Sequence, residues 1–208
     1  LQRFRNVIAN PDLALDPMEV PHIRFDGASD TLSDVFENGE PQVWNHQQVD
    51  AHALFFTALG NALKRELLPV HALTPERAKV LLLYPLFLQK IQFHKYEDAG
   101  AWEEIPRRNS SSIGLATKSL QVWRGILYGR DTTLKKALSS KLSESDRDVK
   151  ITWSTVSFDE QITKGMNTVR RQIKMGGESP DYEAEDVHYR RADAALLHLI
   201  APYPLDGL

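Results

Sequence analysis

Val49-Asp50-Ala51-His52-Ala53-Leu54-Phe55-Phe56-Thr57-Ala58-Leu59-Gly60-Asn61-Ala62-Leu63-Lys64-Arg65-Glu66-Leu67 is the stretch that decides the fold class. Val49, Ala53, Phe56, Leu59, Leu63 and Leu67 recur every three or four residues. That spacing puts one apolar stripe on a helix. Downstream, Thr74-Pro75 reads as a helix start, with a hydroxyl at the cap and proline at the first helical position. The helix it opens is expected to run to about Tyr96 and to bend at Pro85. A loop from Glu97 to Asn109 follows, holding Gly100 and Pro106. Ser110, Ser111 and Ser112 offer hydroxyl caps to a third helix ending near Gly129.

Further along, Thr132 to Leu142 reads as a short helix. Val149, Ile151 and Trp153 alternate with polar residues and suggest one short strand. Phe158 to Met175 is expected to be a helix stopped by Gly176-Gly177. A last helix is expected from about Arg190 to Ile200, ahead of Pro202 and Pro204. Residues 1 to 47, by contrast, are broken by Pro11, Pro17, Pro21, Gly27, Gly39 and Pro41, and read as irregular. About six helices with at most one strand make the class all-α. Without a linker, residues 1–208 read as a single domain.

Composition narrows the function. A share of 42% hydrophobic residues over 208 positions supplies one core, or part of a larger one. The net charge of −3 gives no electrostatic case for nucleic acid or an anionic membrane as partner. No apolar run approaches the ~18–20 residues of a membrane span. There is no cysteine, which excludes disulfides, thiolate metal sites and thiol nucleophiles and fits a reducing, cytoplasmic compartment. The chain starts at Leu1 without a signal-type apolar segment, and is expected to begin mid-protein. The seven histidines lack metal-ligand spacing and read as structural or surface residues. Asp50 reads as a helix cap or a structural buffer to neighbouring N–H groups, His94 as a helix-end residue, and Trp123 and Trp153 as core.

The chemical feature is Trp102-Glu103-Glu104, set in a loop between two long helices, where sites are commonly built. An indole beside a carboxyl desolvates it and raises its pKa, and a second carboxylate raises it further. A carboxyl so tuned donates a proton near neutral pH. A solvated surface pair is the plain alternative for these residues alone.

The surrounding residues carry a resemblance. Trp44-Asn45-His46-Gln47-Gln48-Val49-Asp50-Ala51 resembles the Trp-Gly-Arg-Pro-Gln-x-Asp-Gly element of glucoamylases, glycoside hydrolase family 15. It is equally similar to the Gln-Ile-Asp-Ala element of the phosphorylase kinase α and β regulatory subunits. Val20 to Phe25 resembles the segment that precedes it in both groups. Ala101-Trp102-Glu103-Glu104-Ile105, then Ser110-Ser111-Ser112-Ile113-Gly114-Leu115-Ala116, resembles the Trp-Glu-Glu-Val and Ser-Ser turn of glucoamylases, and also the Trp-Glu-Arg and Ser-Ser-Val-Gly-Met-Ala of the kinase subunits. Asp193-Ala194-Ala195-Leu196-Leu197-His198-Leu199-Ile200 is similar to a helix of both.

What the resemblance implies is an α/α toroid of twelve helices, the six-hairpin glycosidase type, of which this chain is an internal portion. The implied reaction is inverting hydrolysis of terminal α-glucosidic bonds, with an α-glucan or oligosaccharide as partner and no cofactor. By the same resemblance Glu103 is the general acid, and Glu104, Trp44 and Trp102 line the sugar subsite. Arg24 is placed to hydrogen-bond a sugar hydroxyl. His46 and Gln47 stand where glucoamylases have Arg-Pro, the family's early Trp-x-Arg-Asp element is absent, and the general base is expected beyond Leu208. Half a toroid leaves helix faces uncovered, so the remainder of the domain or a self-association partner is expected to cover them. The alternative branch is a non-catalytic, sugar-sensing or scaffolding relative of the kinase subunits.

Overall fold

A computed structural model describes residues 1–28, 33–143, 146, 149 and 155–208. Its regular elements are mostly helical: α1 Gln2–Ala9, α2 Val49–Lys64, α3 Pro75–Lys90, α4 Ser110–Tyr128, α5 Thr133–Ser139 and α6 Phe158–Met175. Short 3-10 turns at Pro11–Leu15, Val70–Ala72, Gly100–Trp102 and Ala194–Leu199 link them. A two-stranded antiparallel hairpin, β1 Phe36–Glu37 and β2 Glu40–Pro41, pairs Phe36 with Pro41.

Helix α4 is the axis of the fold. It packs on α2 along one side and on α6 along another, and the last 3-10 turn also rests on it. Close approach depends on small residues. A Cβ at Gly60 of α2 would lie 2.7 Å from Val122, and one at Gly165 of α6 would lie 2.0 Å from the Thr117 hydroxyl. Both helices sit nearer to α4 than any side chain there would allow.

The aromatic part of the core joins four helices. Phe56 of α2 stacks on Tyr84 of α3, with centroids 3.7 Å apart, and Phe4 of α1 meets Phe87 edge-on at 5.2 Å. Tyr84 shares a 3.0 Å hydrogen bond with Ser119 of α4, and burial pushes its phenol well above the usual range. Trp123 of α4 is fully buried and donates from Nε1 to the Phe56 carbonyl at 3.1 Å.

The opening segment is not irregular. Phe4 and Val7 lie three apart on α1 and bury themselves against α2 and α3, which turns eight residues into a packed helix despite the breaks that follow. The stripe of α2 ends earlier than its spacing suggests: the helix stops at Lys64, and Leu67 is exposed. Thr74 caps α3 as expected, its hydroxyl accepting from the Arg77 N–H at 3.3 Å. That helix closes at Lys90, and turns carry the chain on to Lys95. The expected helix over Arg190 to Ile200 is a 3-10 turn instead. Asp193 caps it, and Pro202 and Pro204 follow too soon for an α-helix to extend. The strand suggested at Val149, Ile151 and Trp153 lies outside the described residues except for Val149, which is buried.

Candidate functional site

Residues 97–109 form a closed loop. Asp98 and Arg107 exchange two backbone hydrogen bonds of 3.0 Å, and the Gly100–Trp102 turn sits inside. Gly100 has φ +62°, a left-handed conformation, and a Cβ there would come within 2.6 Å of the Asn109 amide. The loop is tied to the segment after Trp44, because Ala99 N–H donates to the Gln47 carbonyl at 2.8 Å.

The Asp98 side chain turns inward. Its Oδ2 accepts from Val49 N–H at 2.9 Å and so caps α2, while Oδ1 accepts from Asn109 Nδ2 at 3.0 Å. Asn109 accepts in turn from the Ser179 hydroxyl at 3.0 Å. An equivalent device starts α4. Glu178 takes the Ser111 N–H at 3.2 Å on each of its oxygens, together with the Ser111 hydroxyl. The three serines therefore do not cap this helix by themselves; a buried carboxylate from a distant loop does.

Three acids are thus buried near one another: Asp50, Asp98 and Glu178. Burial raises the pKa of each, and repulsion from Asp50 adds to it at Asp98 and Glu178. Asp98 and Glu178 keep their oxygens on donors, whereas Asp50 Oδ1 has no hydrogen-bond partner among the described residues. Glu178 is pushed up to about 7 from its ordinary 4.5. Because the folded state holds that proton more tightly than the unfolded chain, its contribution is complete below pH 4.5. It is lost as pH rises through 7. At ~1.36 kcal/mol per pH unit the loss is about 3 kcal/mol. Urea denaturation is expected to show lower stability at pH 8 than at pH 5, with Glu178→Gln removing the Glu178 share and leaving the part due to Asp50 and Asp98, which burial raises as well.

The Trp102-Glu103-Glu104 run is at the surface. Trp102 is 53% exposed, and its Nε1 donates to Asp193 Oδ1 at 2.7 Å. Glu104 Oε2 lies 3.2 Å from Arg107 Nη2 and is also bonded by Arg190 Nη2. Arg190 Nη1 reaches Asp193 Oδ2 at 2.8 Å. Glu103 is exposed; its backbone N–H donates to the Gly100 carbonyl at 3.2 Å, and its carboxylate makes no hydrogen bond or ion pair among the described residues. The expected desolvation of Glu103 by its neighbouring indole is not what the structure has: the Trp102 N–H is turned to Asp193, and the desolvated carboxyls are those of Asp50, Asp98 and Glu178.

Arg24 and Trp44 meet elsewhere in the fold. The Arg24 guanidinium lies 4.1 Å over the Trp44 ring, a cation–π contact. Beside them His22 bonds Asp34 at 2.6 Å and stacks on His46 with centroids 3.8 Å apart. Burial, reinforced by the neighbouring His22, lowers His46 to about 4. Burial brings His52 to about 4 as well, while its Nε2 bonds the Pro21 carbonyl at 2.9 Å. The five residues expected at a sugar site therefore fall in two places, Arg24 with Trp44 and Trp102 with Glu103 and Glu104. Among the described residues no group of three or more His, Asp or Glu side chains is arranged to hold a metal. No described helix is long and apolar enough to cross a membrane.

Sequence reading missed Asp98, Glu178, Arg190 and Asp193 as contributors to this region. Asp193 alone had a local signal, standing at the head of the Asp193–Ile200 run that carries a resemblance.

Fold and site together define a mostly helical protein with a surface Trp-Glu-Glu loop built over buried acids. The chain belongs to the family of the putative protein YgeP of Escherichia coli (strain K12). The two are 38% identical over 94 residues, 44% of this chain and 91% of that relative. The chain is also 36% identical over 104 residues, 48% of its length, to the uncharacterized lipoprotein YgeQ of the same strain, and there the match spans about two fifths (39%) of the relative. No protein-family model and no solved structure matches the chain.

Proposed function

We propose that this chain is part of a glucoamylase-like α/α toroid that binds the ends of α-glucans, with Glu103 as the general acid of inverting hydrolysis. The observation that carries the reading is the Trp102–Glu104 loop. It presents a half-exposed indole, anchored through its N–H, next to an exposed carboxyl that has no partner among the described residues. An aromatic face with polar groups at its edge suits a sugar ring, whose C–H face packs on the indole while a hydroxyl reaches the Glu103 carboxylate. In the reaction Glu103 gives its proton to the glycosidic oxygen as the C1–O bond breaks. Water attacks C1 from the opposite face and loses its proton to a second carboxylate, about 6.5–9.5 Å from the first. That second group belongs to the remainder of the proposed toroid.

Titration of the protein with maltoheptaose, followed by calorimetry, tests the reading. Trp102→Ala is expected to weaken binding about tenfold, the loss of roughly 1.4 kcal/mol of aromatic contact. No binding of maltoheptaose to the unaltered protein would sink it. One observation favours a non-catalytic, scaffolding reading like that of the kinase subunits: Asp98 and Glu178 are both engaged in capping helices. Maltoheptaose bound without glucose release, by the protein carrying the whole domain, would select that branch.

A further inference from the structure

The run contains two adjacent glutamates, and their surroundings differ. Glu104 is met by two guanidiniums, Arg107 from its own loop and Arg190 from 86 residues further along the chain. The same Arg190 side chain spans to Asp193, which holds the Trp102 indole N–H on its Oδ1. Asp193 Oδ1 also accepts from Ala195 N–H at 2.8 Å, so this carboxylate is fixed by the start of the last 3-10 turn. The backbone of Arg190 is itself pinned, exchanging hydrogen bonds of 2.8 and 3.0 Å with Ser179, next to the buried Glu178. Two guanidiniums thus face two carboxylates in one connected set, and the charges balance without Glu103.

We propose that Arg190 is the positioning residue of this site: it clamps Glu104 and, through Asp193, the Trp102 indole, and so leaves Glu103 as the one carboxylate of the run available to a ligand. An isolated surface pair would position little, since exposed ion pairs are weak and mobile. Here the guanidinium bridges two carboxylates, and one of those also fixes an indole N–H and a backbone N–H. The planar fork of arginine makes both contacts at once, which a lysine ammonium on a single stem does not reproduce. The clamp also makes the site composite, because residues near 100 reach working geometry only when the segment around 190 is docked. Only the identity of the ligand rests on the glycan reading above; the division of roles between the two glutamates does not.

Carboxyl labelling tests the clamp directly. The folded protein is treated with a water-soluble carbodiimide and glycine ethyl ester, and Glu103 and Glu104 are resolved by peptide fragmentation in a mass spectrometer. Glu103 is expected to be labelled at least fivefold more than Glu104. Arg190→Ala is expected to raise Glu104 labelling to the Glu103 level, and Arg190→Lys to restore only part of the protection. Maltoheptaose affinity, measured on the same proteins, is expected to fall tenfold or more in Arg190→Ala. Equal labelling of the two glutamates in the unaltered protein overturns the proposal, and that comparison needs no variant to fold. Unchanged Glu104 labelling in a folded Arg190→Ala protein overturns it as well. Labelling as expected with no maltoheptaose bound by any form upholds the clamp and rejects the glycan reading instead.

Discussion

Trp123→Ala is expected to lower unfolding free energy by about 3–5 kcal/mol, a cost typical of emptying a buried indole site. The residue is fully buried in the middle of α4. Its indole lies against Gly60 of α2, with 3.6 Å between a ring carbon and the position a Cβ would take. Three losses combine. The indole leaves a cavity that the glycine side of the contact cannot fill. Without the ring, folding no longer removes its apolar surface from water, and that contribution is lost. The Phe56 carbonyl loses its indole donor. Phe56 also stacks on Tyr84, so the α2–α3 contact is disturbed along with α2–α4. Urea denaturation followed by circular dichroism measures the change. A loss under 1 kcal/mol would mean that α4 is not the axis of the fold.

On the proposed hydrolase reading, Glu103→Gln is expected to lower glucose release from maltoheptaose about 10²–10⁴-fold in the protein that carries the whole domain, the usual range for a lost general acid. The amide is nearly the same size and keeps hydrogen-bonding capacity toward a sugar hydroxyl, so affinity is expected to stay within about threefold, a shift of ~0.6 kcal/mol. Glu104→Gln is expected to act the other way, weakening binding through the Arg107 and Arg190 contacts before it affects turnover. A stopped glucose assay read beside calorimetric affinity separates the two outcomes. Undiminished turnover by Glu103→Gln would remove it as the acid.

Local signals in the sequence were sufficient wherever one element carried its own start, stripe and stop. Phe158–Met175 is read to the residue, because its stop is Gly176 in the left-handed conformation at φ +105°. Thr74 with Pro75 marks the start of α3 just as well. Helix α1 escaped because eight residues hold only two turns of pattern, and its helicity rests on Phe4 meeting Phe56 and Phe87. The last turn escaped for the opposite reason, since an apolar helical pattern was cut short by prolines and by the Asp193 cap. At the candidate site, Trp102, Glu103 and Glu104 stand together in the sequence and were legible. Their partners Arg190 and Asp193 come from another segment, and nothing near residue 100 announces them. The buried acids were hidden likewise: Asp50 meets the neighbouring N–H groups of Asp50 and Ala51 as its place at a helix start suggests, but the amide of Val49 that opens α2 is taken by Asp98, 49 residues away.

Those two distant caps bear on how the protein assembles. Most helices can satisfy their first amides with a neighbour already present when they form, but α2 and α4 cannot. The amide of Val49 waits for residue 98, and that of Ser111 waits for residue 178. Each first turn is therefore open until a later part of the chain arrives, and closing the loop between them is an entropic step local helix formation does not need. Deuterium uptake at Ser111 accordingly becomes a clock for the arrival of the 178–193 segment. Any nick or cut that frees this segment would be felt first as fraying at the front of the central helix, before the core around Trp123 loosens.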